Sequence, residues 1–344
     1  MHRKGWLKGV LMLLVVLATN MAAAEAPLRP RVVGWVPAYD VEAAMTAMQS
    51  DPQIGQALTH IGLQFWNPSS DGRSVVLAPA SRDGTLIDEA AIARVREFAH
   101  ARGIKVLLTV YNNSETTLKW DWDLARRAFK GKRRAFARAL VATMLKHTLD
   151  GIDLDLEGEG GFDADREAYA RFVHTLAKAV LGHGKELTID SFHSPCWNAP
   201  NMAWWSDWLG YVDAIHSMGY ADLYESSEET FTAEGQTPCM GGAKLFKYSW
   251  QLGWGLDAGY RVDQIVLGQP TWVDRWGASG RETDAISHIR EVQGFGGGIA
   301  LWDLQLPAPE WRSAQTWCAV LDLREHPGDG WKSLPRIRAD ADAH

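Results

Sequence analysis

Asp150-Gly151-Ile152-Asp153-Leu154-Asp155-Leu156-Glu157 is the stretch on which the reading of this chain turns. Side chains alternate across a β-strand, so Asp153, Asp155 and Glu157 share one face while Ile152, Leu154 and Leu156 share the other. In a barrel the aliphatic face meets helices, which turns the three acids into the interior. At about 3.3 Å per residue, Asp155 and Glu157 lie ~6.6 Å apart along the strand, with Glu157 nearest its carboxyl end. Crowded acids of like charge cannot all ionise cheaply, so at least one keeps its proton near neutral pH. A protonated carboxylic acid at a barrel mouth is equipped to act as a general acid. Calcium is the competing use of three carboxylates, but its sites favour flexible loops with Gly, Asn and carbonyl ligands over a strand with alternating aliphatic residues. Asp150 has the other parity and is given a strand-positioning role only.

Outward from this strand the same unit repeats. Short β-rich runs fall at residues 32–36, 60–66, 105–111, 151–156, 186–191, 214–219, 264–269 and 298–303, alternating with helical patterns at 88–101, 125–147, 163–181, 243–256, 281–292 and 309–323. The third helix has the clearest period, with Tyr169, Phe172, Val173, Leu176 and Val180 three and four apart, Asp163 placed to cap its start and Gly182 and Gly184 its end. Helices near residues 41–48 and 202–209 carry a weaker signal. Eight strands separated by helices, with no Pro/Ser linker between them, define an α/β fold, a single-domain (β/α)8 TIM barrel; a doubly wound open sheet is the alternative. Active residues then belong at strand carboxyl ends.

The amino terminus has a different character. Arg3, Lys4 and Lys8 precede the apolar run Val10 to Ala18, and Ala22-Ala23-Ala24 offers small residues for cleavage before Glu25. This is the layout of a secretory signal peptide over residues 1–24, leaving 25–344 as the mature domain and a secreted or periplasmic destination. The apolar run is too short for the roughly 20 residues a membrane span requires. In an oxidising compartment Cys196 and Cys239 can pair, which would leave Cys318 as a buried thiol in the last helix; pairing itself is not deducible from sequence.

Composition narrows the chemistry. Lys and Arg number 35 against 42 Asp and Glu, for a formal charge of −7. That balance argues against nucleic acid, whose binders rely on basic phosphate contacts. No His/Cys cluster has metal-ligand spacing, and no nucleophile elbow, phosphate loop or dinucleotide fingerprint is present, so neither metal nor cofactor is expected. Trp, at 17, outnumbers Tyr at 8 and Phe at 10, as suits a surface that needs flat aromatic faces.

The acidic strand resembles the Asp-x-x-Asp-x-Asp-x-Glu signature of glycoside hydrolase family 18, the chitinases and endo-β-N-acetylglucosaminidases, at all four acidic positions. Met218-Gly219-Tyr220-Ala221-Asp222 is similar to the family's Met-x-Tyr-Asp element, with one extra residue before the Asp. Gly297-Gly298-Ile299-Ala300-Leu301-Trp302 resembles its last-strand Gly-Gly-x-x-x-Trp, and Val33-Gly34-Trp35 and the run from Ile104 to Thr109 sit where the first and third strands should be. The resemblance covers roughly residues 31–322.

It implies retaining, substrate-assisted catalysis. Glu157 would protonate the glycosidic oxygen while the sugar's 2-acetamido oxygen attacks C1 to give an oxazolinium ion. Asp155 would orient the acetamido N–H, Asp153 would exchange charge with Asp155, and Tyr220 would steady the acetamido oxygen. Trp302 would form the apolar floor under the distorted sugar, with Met218 and Asp222 beside it. The implied substrate is an N-acetylglucosamine-containing oligo- or polysaccharide, handled by a monomer with no membrane partner after signal cleavage.

Two departures shape the expected cleft. Where the family's third strand usually ends Ser-x-Gly-Gly, this chain has Thr109-Val110-Tyr111-Asn112, and the added bulk makes a non-chitin substrate more plausible. Only eight residues separate Trp272 from Arg281, too few for the α+β module that some relatives insert after strand seven, so the cleft should be open. Trp35, Trp66, Trp272 and Trp302 fall at or just past predicted strand ends, and further Trp residues crowd positions 120–122 and 197–208; stacking on sugars and plain packing are both open to them. Gln64, Gln269 and Asn112 are placed to bond sugar hydroxyls or to fill polar barrel layers. The competing functions are a peptidoglycan-directed N-acetylglucosaminidase and a non-hydrolytic lectin-like barrel, the latter disfavoured because Glu157 is present.

Overall fold

Each barrel strand is a run of aliphatic residues whose outer side chains pack under helices, and the ring closes through main-chain hydrogen bonds. The computed structural model describes residues 29–78, 87–113, 119–193, 198–219, 247–272 and 282–334. Eight parallel strands, β1 (Val32–Pro37), β2 (His60–Pro68), β4 (Lys105–Tyr111), β5 (Gly151–Asp155), β6 (Glu186–Ser191), β7 (Ala214–Ser217), β8 (Ile265–Pro270) and β9 (Gly298–Trp302), pair in sequence order. β1 bonds to both β2 and β9, which closes the barrel and excludes the open doubly wound sheet. A short strand that the sequence pattern does not signal, β3 (Val75–Leu77), adds antiparallel to the far end of β2.

The helices α1 (Val41–Ser50), α2 (Pro52–Ala57), α3 (Glu89–His100), α4 (Trp122–Arg126), α5 (Arg133–Lys146), α6 (Arg166–Leu181), α7 (Tyr248–Asp257), α8 (Glu282–Phe295) and α9 (Ala314–Glu325) surround the barrel. Several begin where an Asp or Ser side chain satisfies an orphan N–H: Asp40 for α1, Asp51 for α2, Asp88 for α3, Asp121 for α4 and Ser313 for α9. Asp163 does not cap α6; it opens a short 3₁₀ turn, and α6 starts at Arg166. The single helix expected over 125–147 is interrupted by a π segment, Arg127–Gly131, before α5. The 202–209 helix is a 3₁₀ stretch, Met202–Trp208, in which Trp204, Trp205 and Trp208 are completely buried. Those three are outer-layer core and not sugar platforms.

Between strands and helices lies one apolar layer that includes Ile152, Leu154 and Leu156. Inside the barrel, Arg31, His60 and Lys105 gather around Glu186 at the amino-terminal end, with Arg31 Nη1 and His60 Nε2 at 2.9 and 3.0 Å from Glu186 Oε2. Val33, Trp35, Ala214, Val266 and Ala300 form a small apolar deck, against which Trp302 packs. Only residues 273–281 separate Trp272 from α8, which leaves no room for an extra module. Cys318 is exposed on α9, contrary to the buried thiol expected, while Cys196, Cys239 and the signal segment lie outside the described residues. Among the described residues no helix is long and apolar enough to cross a membrane.

Candidate active site

β5 delivers its acids as the alternation requires. Asp153 and Asp155 are buried and face inward, and Glu157, just past the strand end, is half-buried at the carboxyl-terminal mouth. Gln64 Nε2, on β2, donates to Asp155 Oδ2 at 2.7 Å. The Asp155 and Glu157 carboxyls lie close enough for each to influence the ionisation of the other. Desolvation, with help from the Asp153 charge, raises Asp155 to about 7 against the lowering effect of the Gln64 and Glu157 bonds. Desolvation also holds Glu157 well above the usual glutamate value, and the Asp155 charge, the shared hydrogen bond and the Glu159 charge push the same way.

Asp153 sits one step deeper in a nest of donors. Trp35 Nε1 and Thr109 Oγ1 donate to its Oδ2 at 2.9 and 3.0 Å, and Thr188 Oγ1 to its Oδ1 at 2.5 Å. His216 Nδ1 lies 3.3 Å from the same Oδ1 and 2.8 Å from Asp190 Oδ1. Burial alone would raise Asp153; the electrostatic pull and hydrogen bond of His216, with the Thr188 and Trp35 bonds, more than offset it and hold the carboxyl below its ordinary value. Asp190 is pushed the other way, by burial first and then by the Asp153, Asp155 and Glu157 charges. The ligand atoms of Asp153, Asp190 and His216 lie within 4.8 Å of one another, the one such grouping among the described residues. Trp35, Thr109 and Thr188 already aim hydrogens at Asp153, and Nδ1 of His216 is engaged by Asp190, so the donor set is that of a closed hydrogen-bonded network and does not suit a cation.

Trp35 therefore does not present its face to the mouth. It is 3% exposed and reaches across the barrel because β2 carries a glycine opposite: a Cβ at Gly62 would come within 2.5 Å of the Trp35 ring and 2.6 Å of Thr109 Oγ1. Asn112, completely buried, also differs from a sugar ligand. Its Nδ2 donates to the Glu157 carbonyl at 2.8 Å and its Oδ1 accepts from the Glu157 N–H at 2.6 Å, so it clips the backbone of the outermost acid in place.

Two further expectations are corrected by strand geometry. A bulge between Gln64 and Trp66 changes the facing of β2, and Trp66 packs in the outer core with Phe65 and His147. Gln269 has the parity of Ile265 and Leu267 and donates to Tyr248 Oη on α7 at 2.8 Å, in the helix layer. Asp150, at the start of β5, accepts from Val106 N at 2.9 Å and pairs with His100 Nε2 at 2.7 Å, tying β5 to β4 and α3.

Three of the aromatic and sulfur positions remain at the mouth. Trp302 is half-buried at the end of β9, its ring 6.0 Å from that of Trp35, and Trp272 is half-buried just past β8. Met218 follows β7, with its N–H bonded to Ser191 O at 2.9 Å. Ile215 and Ser217 do face helices, Ser217 through Gln251 of α7, so His216 points inward; Tyr220 and Asp222 lie outside the described residues. Asp190 and His216 went unassigned in the sequence, although Thr188 and Asp190 alternate with Leu187 and Ile189. Tyr39, 56% exposed just after β1, was also missed; its hydroxyl bonds Asp303 Oδ2 at 3.0 Å beside Trp302.

A closed (β/α)8 barrel with two buried acids and a third at its carboxyl-terminal mouth has the architecture of a barrel enzyme. The profile of the glycosyl hydrolases family 18 matches residues 31–315, and the chain belongs to that family and is a glycoside hydrolase. No curated protein matches it in sequence. Its fold is similar to that of a class V chitinase from Pseudomonas fluorescens Pf-5, with 16% identity, 85% of this chain and 98% of that one covered and a TM-score of 0.62. A Cycas revoluta chitinase solved with (GlcNAc)3 is alike at 16% identity, 85% and 99% coverage and a TM-score of 0.61. The Bacillus cereus spore cortex-lytic enzyme SleL matches at 16% identity, 88% and 76% coverage and a TM-score of 0.59.

Proposed function

We propose that this chain is an exported, retaining hydrolase of β-linked N-acetylglucosamine glycans that uses the substrate's own acetamido group as nucleophile. The observation that carries the reading is that Asp155 and Glu157 rise from one strand end, Asp155 buried and held by Gln64 and Glu157 at the mouth. A retaining enzyme with its own carboxylate nucleophile sets its two carboxyl groups about 5–5.5 Å apart on either side of the scissile bond. Asp155 and Glu157 follow one another on a single strand end and so do not flank the bond from opposite sides as that task needs. The nucleophile then comes from the sugar.

Glu157 gives its proton to the glycosidic oxygen as the C1–O bond breaks and the acetamido oxygen bonds to C1, closing an oxazolinium ring. Asp155 accepts the acetamido N–H and balances the positive charge that develops. Water then attacks C1, Glu157 takes the water's proton, and the ring reopens with the original anomeric configuration restored. Trp302 offers a broad apolar face for the distorted sugar, with Tyr220 and Asp222 as its proposed polar neighbours. The chitinases of like fold, one of them solved with a GlcNAc oligomer, favour chitin-type or N-glycan-core substrates.

A cell-wall glycan is the second reading. Tyr111, buried beside Asp155 with its ring 6.1 Å from Trp120, puts bulk where other family members have glycine, and the fold also matches a spore cortex-lytic enzyme. Export agrees with either. Mass spectrometry of products from chitin oligomers, a high-mannose glycopeptide and peptidoglycan fragments separates the two. Release of GlcNAc-terminated fragments by the parent protein, lost in Glu157→Gln and blocked by a thiazoline mimic of the oxazolinium ion, is expected. Turnover unchanged in Glu157→Gln would refute the assignment.

A further inference from the structure

Tyr111 faces the acids from β4, and the proposed mechanism gives it no task. Two residues after Thr109, whose hydroxyl reaches Asp153, it shares that inward face, and its register partner on β5 is Asp155. It is 6% exposed, yet its hydroxyl has no hydrogen-bond partner among the described residues and is not one of the fully enclosed polar atoms, so its tip opens on the mouth. The hydroxyls of Tyr39, Tyr248 and Tyr260 differ, each donating to an acceptor of the protein. Burial, and after it the Asp155 charge, raise the Tyr111 phenol above its ordinary value, so the O–H keeps its hydrogen and is available as a donor.

The ring is not free to swing away. Asn113 and Trp120 form an antiparallel bridge, the Asp121 N–H donates to Asn112 O at 2.7 Å, and Asn67 of β2 exchanges two hydrogen bonds with the Asn113 backbone, both 3.2 Å. This turn sets Trp120 edge-on against Tyr111, with ring centres 6.1 Å apart and planes at 77°. A phenol held in this way is a prepositioned donor and binds a ligand at little ordering cost.

We propose that Tyr111 is a specificity residue: its O–H donates to the 3-oxygen of the sugar whose acetamido group rests on Asp155, and its ring blocks a substituent on that oxygen. The inference rests on the substrate-assisted reading and names the sugar which that reading admits. With the acetamido N–H on Asp155, C2 of the sugar lies over Asp155. Of the two ring carbons beside C2, C1 belongs to Glu157, the next inward residue after β5. C3 is left for a group on the adjoining strand at the same height, and its oxygen is an acceptor for a donor there. The sugar that gives up its C1 bond is then N-acetylglucosamine with a free 3-hydroxyl. A muramic acid unit, whose 3-oxygen carries a lactyl ether, is refused in that place. A chitin-type chain meets this demand at every unit, a peptidoglycan strand only at every second one.

Calorimetry with the thiazoline mimic of N-acetylglucosamine, its 3-deoxy form and its 3-O-methyl form tests this, since these ligands fill only the acetamido site. The parent protein should bind the 3-deoxy form about three- to tenfold more weakly than the mimic itself, the range of one neutral hydrogen bond, and should not measurably bind the 3-O-methyl form. In Tyr111→Phe the mimic and its 3-deoxy form should bind alike, and in Tyr111→Ala the 3-O-methyl form should bind. A parent protein that holds the 3-O-methyl form as tightly as the mimic would overturn the proposal without any variant having to fold, as would a 3-deoxy penalty that persists in Tyr111→Phe. Turnover of glycans with no dependence on the 3-oxygen sinks this inference alone. A 3-hydroxyl preference that Tyr111→Phe abolishes, in a protein that cuts no glycan, would sustain it and sink the hydrolase reading.

Discussion

In the proposed mechanism Glu157 serves as the acid because its neighbours make ionisation costly and because its backbone is held in place. Asn112 supplies the second condition by bonding both the N–H and the C=O of the residue it positions. Asn112→Ala is expected to lower kcat by about 10–100-fold, since small misplacement of a reacting group is enough to cost that much, while KM changes less than twofold. Steady-state kinetics check this, and an equal loss in kcat with a proportionate rise in KM would assign Asn112 to substrate binding. Glu157→Gln should remove hydrolysis yet keep Tm nearly unchanged, because a neutral amide replaces a carboxyl that burial already keeps protonated; calorimetry reads the shift. The three acids were legible from parity alone, since three alternating aliphatic residues leave only one inward face. The depth of a residue was not. Parity put Trp35 on the inner face, yet nothing local indicates that it is buried there with its indole N–H on Asp153. Trp66 and Gln269 were misassigned because a bulge in one case, and plain outward parity in the other, carry them into the helix layer.

β2 is the element that makes the site possible, since Gly62 gives Trp35 its passage and Gln64 holds Asp155. Gly62→Ala forces a methyl group against the Trp35 ring and Thr109, an overpacking cost of about 1–3 kcal/mol. Denaturant unfolding should show that loss, together with reduced kcat as Trp35 leaves Asp153; wild-type stability in this variant would mean that the barrel interior yields more than its packing indicates. Eight strands and most helices could be read from the sequence because aliphatic runs and helical spacing are period signals. β3 could not, being three residues whose pairing is decided by β2. The Met202–Trp208 turn was legible as an element but not as a role: a stretch so rich in Trp reads equally as platform or core, and burial against α6 and β6 decides for core.

The barrel as a whole carries one chemistry at each end. At the floor, burial tends to raise Glu186, but His60, Arg31 and Lys105 override it and hold the carboxyl far below its ordinary value of 4.5. Burial likewise lowers His60 from 6.5. Both groups bind protons less readily folded than unfolded, so their stabilisation is complete at higher pH and is lost as pH falls, first below about 6.5 and more steeply below 4.5. Glu186→Gln should lower stability at pH 7 by about 1–3 kcal/mol and flatten the decline of Tm below pH 4.5; an unchanged acid slope would place the sensitive groups elsewhere. At the mouth, the account stands on a proton-loaded Glu157 paired with a nucleophile that the sugar brings. Proton NMR followed from the first turnover of a chito-oligosaccharide reads that directly. The β anomer should appear first and convert slowly to the equilibrium mixture, whereas an initial α anomer would mean that water attacks C1 without an intermediate, and the role given to the acetamido group would be wrong.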